Sequence, residues 1–313
     1  MLSTSPIMFP EWLGEHVSAE PPTLALVAGA DAGHVLEGVC LAAERGWLDP
    51  VLIGPKAGIC QAAGRLARDV SAFPRMEAVG EAAVAEAAAS RIAEGGVGMI
   101  VKGNIHTGAL LRALLRAKPG IRAGGRLFHV WLLTHPEFGR PLAISDGALN
   151  PALDLPTAQA ILNGIAGMFR AIGRPRPRIA LLAATEERVA EMPATLIAGQ
   201  VADWAASAGL DAEVFGPLAM DAAISPEAAG IKGLPWPAGA ADALVVPSIE
   251  VGNVLAKALI WMRSACAAGV VLGGRMPVVI TSRSDSPAAR LASVALARAL
   301  ARQPDMVAAP VHV

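Results

Sequence analysis

The sequence predicts an α/β protein with a mostly parallel central sheet. Three observations lead there. Short aliphatic runs alternate with longer segments whose apolar residues recur at helical spacing. The alternation runs through both halves of the 313-residue chain. Glycines and clustered polar residues separate the two kinds of segment. Strands alternating with helical patterns of this length imply βαβ units.

The elements follow in order. "TLALVAG" (23–29) reads as a strand, and "AGHVLEGVCLAAERG" (32–46) as a helix with Val35, Val39 and Ala42 on one face and Asp31 as its N-cap. "PVLIGP" (50–55) is the next strand, and "GEAAVAEAAASRIAEGG" (80–96) a helix closed by glycine. "GMIVKG" (98–103) is a strand and "HTGALLRALLRA" (106–117) a helix; "RLFHVWLL" and "RPLAISD" are two more strands. The second half repeats the rhythm. Helices are expected at 157–173, 194–208, 249–263 and 286–302, with strands at 178–184, 212–218, 241–248, "GVVLGG" and "PVVITS". The polar break "SDGALNPALDLP" (145–156) and the glycines at 273–274 suit crossovers between two α/β lobes.

Composition narrows the function classes. The chain is apolar, poor in charge and lacks tyrosine, the opposite of a disordered chain. A net charge of −1 offers no overall field for nucleic acid or an anionic membrane. The longest apolar stretch, "ALIWMRSACAAGVVLGG", is interrupted by Arg263, so no spanning helix is expected. "MLSTSPIMFPEWLGEH" has neither a basic start nor a long apolar segment, so it is not read as a secretory signal. Cys40, Cys60 and Cys266 are scattered and odd in number, which points to free thiols in a cytoplasmic protein and to no metal site.

Four stretches could carry chemistry. In "TSRSDSP", Ser282 and Arg283 follow a strand, Ser284 or Asp285 could cap the next helix, and Pro287 suits its first turn. A helix N-terminus beside an arginine can bind phosphate; ordinary capping explains the same residues. In "VKGNIHTGALLRALLR", Lys102 and His106 flank a strand-to-helix turn, Thr107 follows, and Arg112 and Arg116 lie one turn apart. A solvated helix face is the plainer reading there, and GxxxxGK[ST] is absent. In "SDGALNP", Asp146 and Asn150 could make turn hydrogen bonds. In "PSIEVGNVLAKAL", Glu250, Gly252 and Asn253 sit where a strand becomes a helix, and Gly252 suggests a close backbone approach. His34, in "AGADAGH", reads as a surface helix residue. No GxSxG, HExxH or GxGxxG occurs.

Taken in order, "KGNIHTGALLRALL", "SDGALNP", "GPLAMDAAISPEAAGIKG", "ADALVVPSIEVGNVLAKAL" and "AAGVVLGGRMPVVITSRSDSPAARLASVALA" resemble the phosphate acetyltransferase and phosphate butyryltransferase family over residues 24–302. The resemblance implies two α/β lobes of the isocitrate/isopropylmalate dehydrogenase type with the active site in the cleft between them. It implies a first lobe of residues 1–140 plus 275–313, and a second, 141–274, inserted into it. It also implies a cytoplasmic homodimer or larger homo-oligomer that transfers a short acyl group, acetyl or butyryl, between coenzyme A and phosphate. Coenzyme A is then a substrate, and neither a bound cofactor nor a metal is required.

The family's phosphate-binding Ser-Arg pair falls on Ser282 and Arg283, and its basic helix residue on Arg112. Lys102, His106, Thr107, Asn150, Glu250 and Asn253 fall in the matching blocks as candidates for phosphate or coenzyme A binding. The acetyl-transferring branch has an aspartate, proposed as base for the thiol, seven residues after that serine. Here that position is Ala289, and Asp285 is the nearest substitute. Two other functions fit the fold class: an NAD-dependent, metal-assisted hydroxyacid dehydrogenase, and a non-catalytic relative that binds coenzyme A or phosphate.

Overall fold

The computed structural model describes residues 5–123 and 125–301. These form two compact units: residues 9–123 with 268–301, and residues 5–8 with 125–267. The end of the expected first lobe, 302–313, lies outside the described residues, as does the last residue of the helix predicted at 286–302.

The first unit begins with α1 (Glu11–Ser18), then β1 (Thr23–Ala28), α2 (Gly33–Glu44), β2 (Leu48–Gly54), α3 (Lys56–Arg65) and β3 (Arg75–Glu77). It continues with α4 (Glu81–Ala93), β4 (Met99–Lys102) and α5 (Thr107–Arg116). Near the chain end come β10 (Cys266–Leu272, from residue 268 on), β11 (Val278–Val279) and α11 (Pro287–Ala301). The strand order is β3-β2-β1-β4-β11-β10. All neighbours run parallel except β10 and β11. Strands covered by helices on both faces need continuous apolar runs, and Ala25 through Ala28 are fully buried in β1.

Arg298 ties this unit together from α11. It is fully buried, and its Nε donates to the Val17 carbonyl at 2.9 Å. Its two terminal nitrogens donate to the carbonyls of Trp47 and Glu20. The Val17 carbonyl belongs to the last turn of α1, where no intrahelical donor reaches it. A cation at that end also complements the helix dipole.

The second unit holds β5 (Phe128–Thr134), β6 (Leu142–Ser145), α6 (Leu155–Ala171), β7 (Arg178–Leu182), α7 (Pro193–Ser207) and β8 (Glu213–Leu218). It is completed by α8 (Met220–Ile224), α9 (Pro226–Ile231), β9 (Ala243–Val245) and α10 (Ile249–Arg263). The order is β5-β6-β9-β7-β8. Only β5 and β6 are antiparallel. Asp154 caps α6 through the Thr157 N–H at 2.8 Å.

Local readings change in three places. Asp31 is not the cap of α2: Ala32 holds that position without a side-chain bond, and the Asp31 carboxylate accepts from Asn104 Nδ2 at 2.9 Å. Neither Ser284 nor Asp285 caps α11; Ser286 Oγ accepts from the Ala289 N–H at 3.1 Å. Helices α1, α3, α8 and α9 and strand β3 were not expected. They are short, and tertiary contacts rather than a long apolar period stabilise such pieces.

Candidate functional site

Three strand-to-helix turns of the first unit lie side by side. Strands β1, β4 and β11 are adjacent and parallel, so the turns after Ala28, Lys102 and Val279 share one edge. Ligands of open α/β sheets bind at this carboxyl edge. The first two turns are joined through backbone: the Gly103 N–H donates to Ala28 O at 2.7 Å and the Asn104 N–H to Gly29 O at 2.8 Å. A Cβ at Gly103 would lie 2.1 Å from the Gly29 carbonyl oxygen. Only glycine allows that approach.

The third turn carries Ser282, Arg283 and Asp285. Asp285 Oδ2 accepts from the Ser282 N–H at 2.7 Å, while the Asp285 N–H donates to Ser282 O at 3.2 Å. These two bonds close the turn on itself. Ser282 Oγ and Ser284 Oγ lie 3.0 Å apart. Arg283 is exposed at the turn's tip. Behind it, Arg290 of α11 donates from Nη2 to the Arg283 carbonyl at 3.3 Å. Ala289 is buried beneath the cap, so the position where the resemblance implies a carboxylate carries no ionisable group.

Basic side chains converge here. Burial pushes the Lys102 ammonium below its ordinary value, and Arg283 pushes it further; Glu81 opposes both. Burial lowers the His34 pKa, with Arg290, Arg283 and Lys102 adding to the shift in that order. From an ordinary value near 6.5 that direction leaves the ring neutral at pH 7. His34 is therefore half-buried among cations rather than a plain surface residue. From the sequence, His34 reads as a surface residue and Arg290 is not named, because the charged neighbours that mark the pair lie up to about 250 residues apart in the chain.

The other predicted residues of this unit spread along α5. His106, exposed at the N-cap position, meets Glu81 Oε1 through both its N–H, at 2.6 Å, and Nδ1, at 2.5 Å. Those bonds, the backbone one foremost, hold the Glu81 carboxyl below its usual range. Thr107 is the first residue of α5, and Arg112 stands exposed one turn further on.

Asn150, Glu250 and Asn253 belong to the second unit, and the two asparagines lie at the Asp146 loop. The Asp146 carboxylate accepts from the N–H groups of Ala148, Leu149 and Asn150 and from Asn150 Nδ2. Asn150 Nδ2 also donates to Leu127 O at 2.9 Å, and Asn253 Nδ2 to Gly147 O at 3.1 Å. Both amides thus have structural work inside the loop. A Cβ at Gly252 would lie 2.4 Å from Asp146 O, the close approach expected of that glycine. His129 is buried beside Trp131 and Asp146; burial lowers its pKa to about 4, with Asp146 pulling the other way.

Glu250 is exposed at the start of α10, its carboxyl lowered by a hydrogen bond with Ser248. It borders an apolar groove of about 800 Å³ lined by Leu182, Met192, Thr195, Val251, Val254 and Leu255. Among the described residues, no cluster of three or more His, Cys, Asp or Glu could hold a metal, and no helix is long and apolar enough to cross a membrane.

A family model described as phosphate acetyl/butaryl transferase matches residues 61–298. A phosphate acetyltransferase of Rhizobium meliloti is 38% identical over 281 residues, covering 89% of this chain and 89% of that one. A phosphate butyryltransferase of Clostridium acetobutylicum is 35% identical over 280 residues, covering 88% of this chain and 92% of that one. A solved branched-chain phosphotransacylase from Enterococcus faecalis V583 matches with a TM-score of 0.78 at 30% identity, covering 90% of this chain and 99% of its own. A phosphotransacetylase from Streptococcus pyogenes matches in fold, with a TM-score of 0.75 at 19% identity over 92% of this chain and 96% of its own.

The structural matches correct one expectation. The α/β class stands, but the isocitrate/isopropylmalate dehydrogenase-like assignment gives way to the phosphotransacylase fold. That assignment came with the family resemblance; strand–helix alternation reports only buried parallel strands and amphipathic helices, which many folds share, and could not have checked it.

Proposed function

Because the chain belongs to the phosphate acetyl/butyryl transferase family, we propose that the carboxyl edge of β1, β4 and β11 is its phosphate site. The protein is an acyltransferase that moves a short acyl group reversibly between coenzyme A and inorganic phosphate; coenzyme A is a substrate, and no bound cofactor is needed. The observation that carries the site is the convergence of Lys102, Arg283 and Arg290 on a half-buried His34. With Arg290 buried and Lys102 half-buried beside the exposed Arg283, the cations repel one another, and a dianionic phosphate relieves that repulsion.

In the direction of thioester synthesis, the coenzyme A thiolate attacks the acyl carbon of the acyl phosphate. The new C–S bond forms as the C–O bond to phosphate breaks, and the electron pair leaves on the phosphate oxygen. Arg283 and Arg112 neutralise the departing charge, with Lys102 behind them. Ser282 donates a hydrogen bond to the phosphate, and His106 and Thr107 line the same edge at the start of α5. In the second unit, Asn150 and Asn253 brace the Asp146 loop and Glu250 stands at the start of α10; we assign all three to coenzyme A. Asp285 contributes chiefly by holding Ser282 in the turn. A thiol of pKa about 8.5 is already a few per cent ionised at neutral pH, so a missing base costs at most tens of fold.

The direct test measures phosphate-dependent release of coenzyme A from acetyl-, propionyl- and butyryl-CoA. At least one should turn over with saturable dependence on phosphate. Each methylene should change kcat/KM by roughly 10–200-fold through pocket fit. No release from any of the three would sink the reading.

The same proposal includes a cytoplasmic homodimer or larger assembly. Its support is the apolar face of the second unit, where Val254 is 68% exposed, Met262 52% and Val251 41% on α10. An exposed apolar patch of this kind marks an interaction surface. Sedimentation should find a dimer or larger species for the parent chain and a smaller one for Val254→Lys. A monomeric parent chain would remove this part. Cell fractionation checks the location.

A further inference from the structure

Arg290 occupies an unfavourable place for a cation. It lies in the first turn of α11, where the helix dipole opposes positive charge. The residue is only 7% exposed, and its Nε is buried with no hydrogen-bond partner among the described residues. Burial pushes its pKa down, against the pull of Asp285 and of Glu37 on α2. Its stem packs where Gly38 of α2 leaves room: a Cβ there would sit 3.4 Å from Arg290 Cβ. Removing its charge would relieve several of these conflicts, so packing alone does not account for an arginine here.

The side-chain hydrogen bond of Arg290 to the Arg283 carbonyl gives the reason. Ser282 and Asp285 close the turn from one side through their reciprocal bonds. Arg290 holds it from behind at the residue whose guanidinium meets the phosphate. We propose that Arg290 is a positioning residue of acyl transfer, which aims Arg283 at the phosphate by fixing the Arg283 carbonyl from the interior side of the turn. A turn free to swivel about Arg283 would lose the fixed alignment that makes a charge effective against a developing anion. This inference rests on the phosphate-site reading above.

The test is Arg290→Met, which keeps an unbranched stem against Gly38 and removes the guanidinium. Initial rates are measured in the direction of acyl phosphate formation, varying phosphate and acyl-CoA separately. The KM for phosphate should rise about tenfold, while that for acyl-CoA stays within about twofold. A role in packing alone would reduce the folded fraction and the apparent kcat, leaving the phosphate KM in place. Arg290→Gln, shorter and also uncharged, is read in the same way should the methionine variant fail to fold. A folded variant of either kind with the phosphate KM of the parent chain overturns the proposal. Failure of the parent chain itself to turn over any acyl-CoA with phosphate would instead count against the phosphate site.

Discussion

Replacing Arg283 by alanine is expected to lower the rate of phosphate-dependent coenzyme A release by about 100-fold or more, with the fold intact. The side chain is exposed at the tip of its turn, so truncation leaves no cavity. The turn is closed by the backbone of Ser282 and the carboxylate of Asp285, and both survive the substitution. What is lost is an oriented charge on the phosphate, and losses of that kind are worth on the order of 100-fold or more. Asp285→Asn separates two roles in the same assay. Asparagine keeps an oxygen acceptor for the Ser282 N–H but is not a base, and its rate should stay within about tenfold of the parent chain. A near-normal rate for Arg283→Ala would remove that residue from the site, and a fall of hundreds of fold for Asp285→Asn would make the aspartate the base.

The largest expected effect on stability belongs to Arg298→Met. Methionine fills much of the same volume but donates no hydrogen bond. The Trp47 carbonyl keeps a donor, the Thr23 N–H at 3.0 Å. The Val17 and Glu20 carbonyls each lose the bond that Arg298 makes to them. Leaving the buried Val17 acceptor unpaired costs about 1–3 kcal/mol, and the part-buried bond to Glu20, an exposed residue, adds about 1 kcal/mol. Relief from burying a cation offsets part of that. The net should be a loss of about 2 kcal/mol, read as a lower midpoint in urea unfolding with α1 detaching first. Since Arg298 lies outside the phosphate turn, activity of the folded fraction should be retained. A loss below about 1 kcal/mol would show that the carbonyls find other donors.

Much of the molecule was legible in its sequence. The aliphatic runs of β1, β4 and β7 and the periodicity of α2, α5 and α6 are local signals, and local sterics with apolar burial are enough to specify such elements. Boundaries drifted where the chain compromises. Strand β11 shortens to Val278–Val279, and Ser286 rather than its neighbours caps α11. The Ser282–Arg283 pair could be named as a candidate because strand, turn and helix are contiguous there.

The sequence by itself determined the α/β class, the order of most of its longer elements and the family to which its ordered motifs belong. Only the tertiary structure decided which polar groups remain available for chemistry. Asn150 and Asn253 each commit a donor to the carbonyls of Leu127 and Gly147, and Asp31 accepts from Asn104 instead of capping its helix. In the other direction, His34, Lys102, Arg283 and Arg290 carry no shared local pattern, yet adjacent parallel strands bring them to one edge. The reason is physical. A backbone pattern is set by neighbours a few residues away, whereas hydrogen-bond commitments and charge repulsion depend on through-space distance, which chain folding alone supplies.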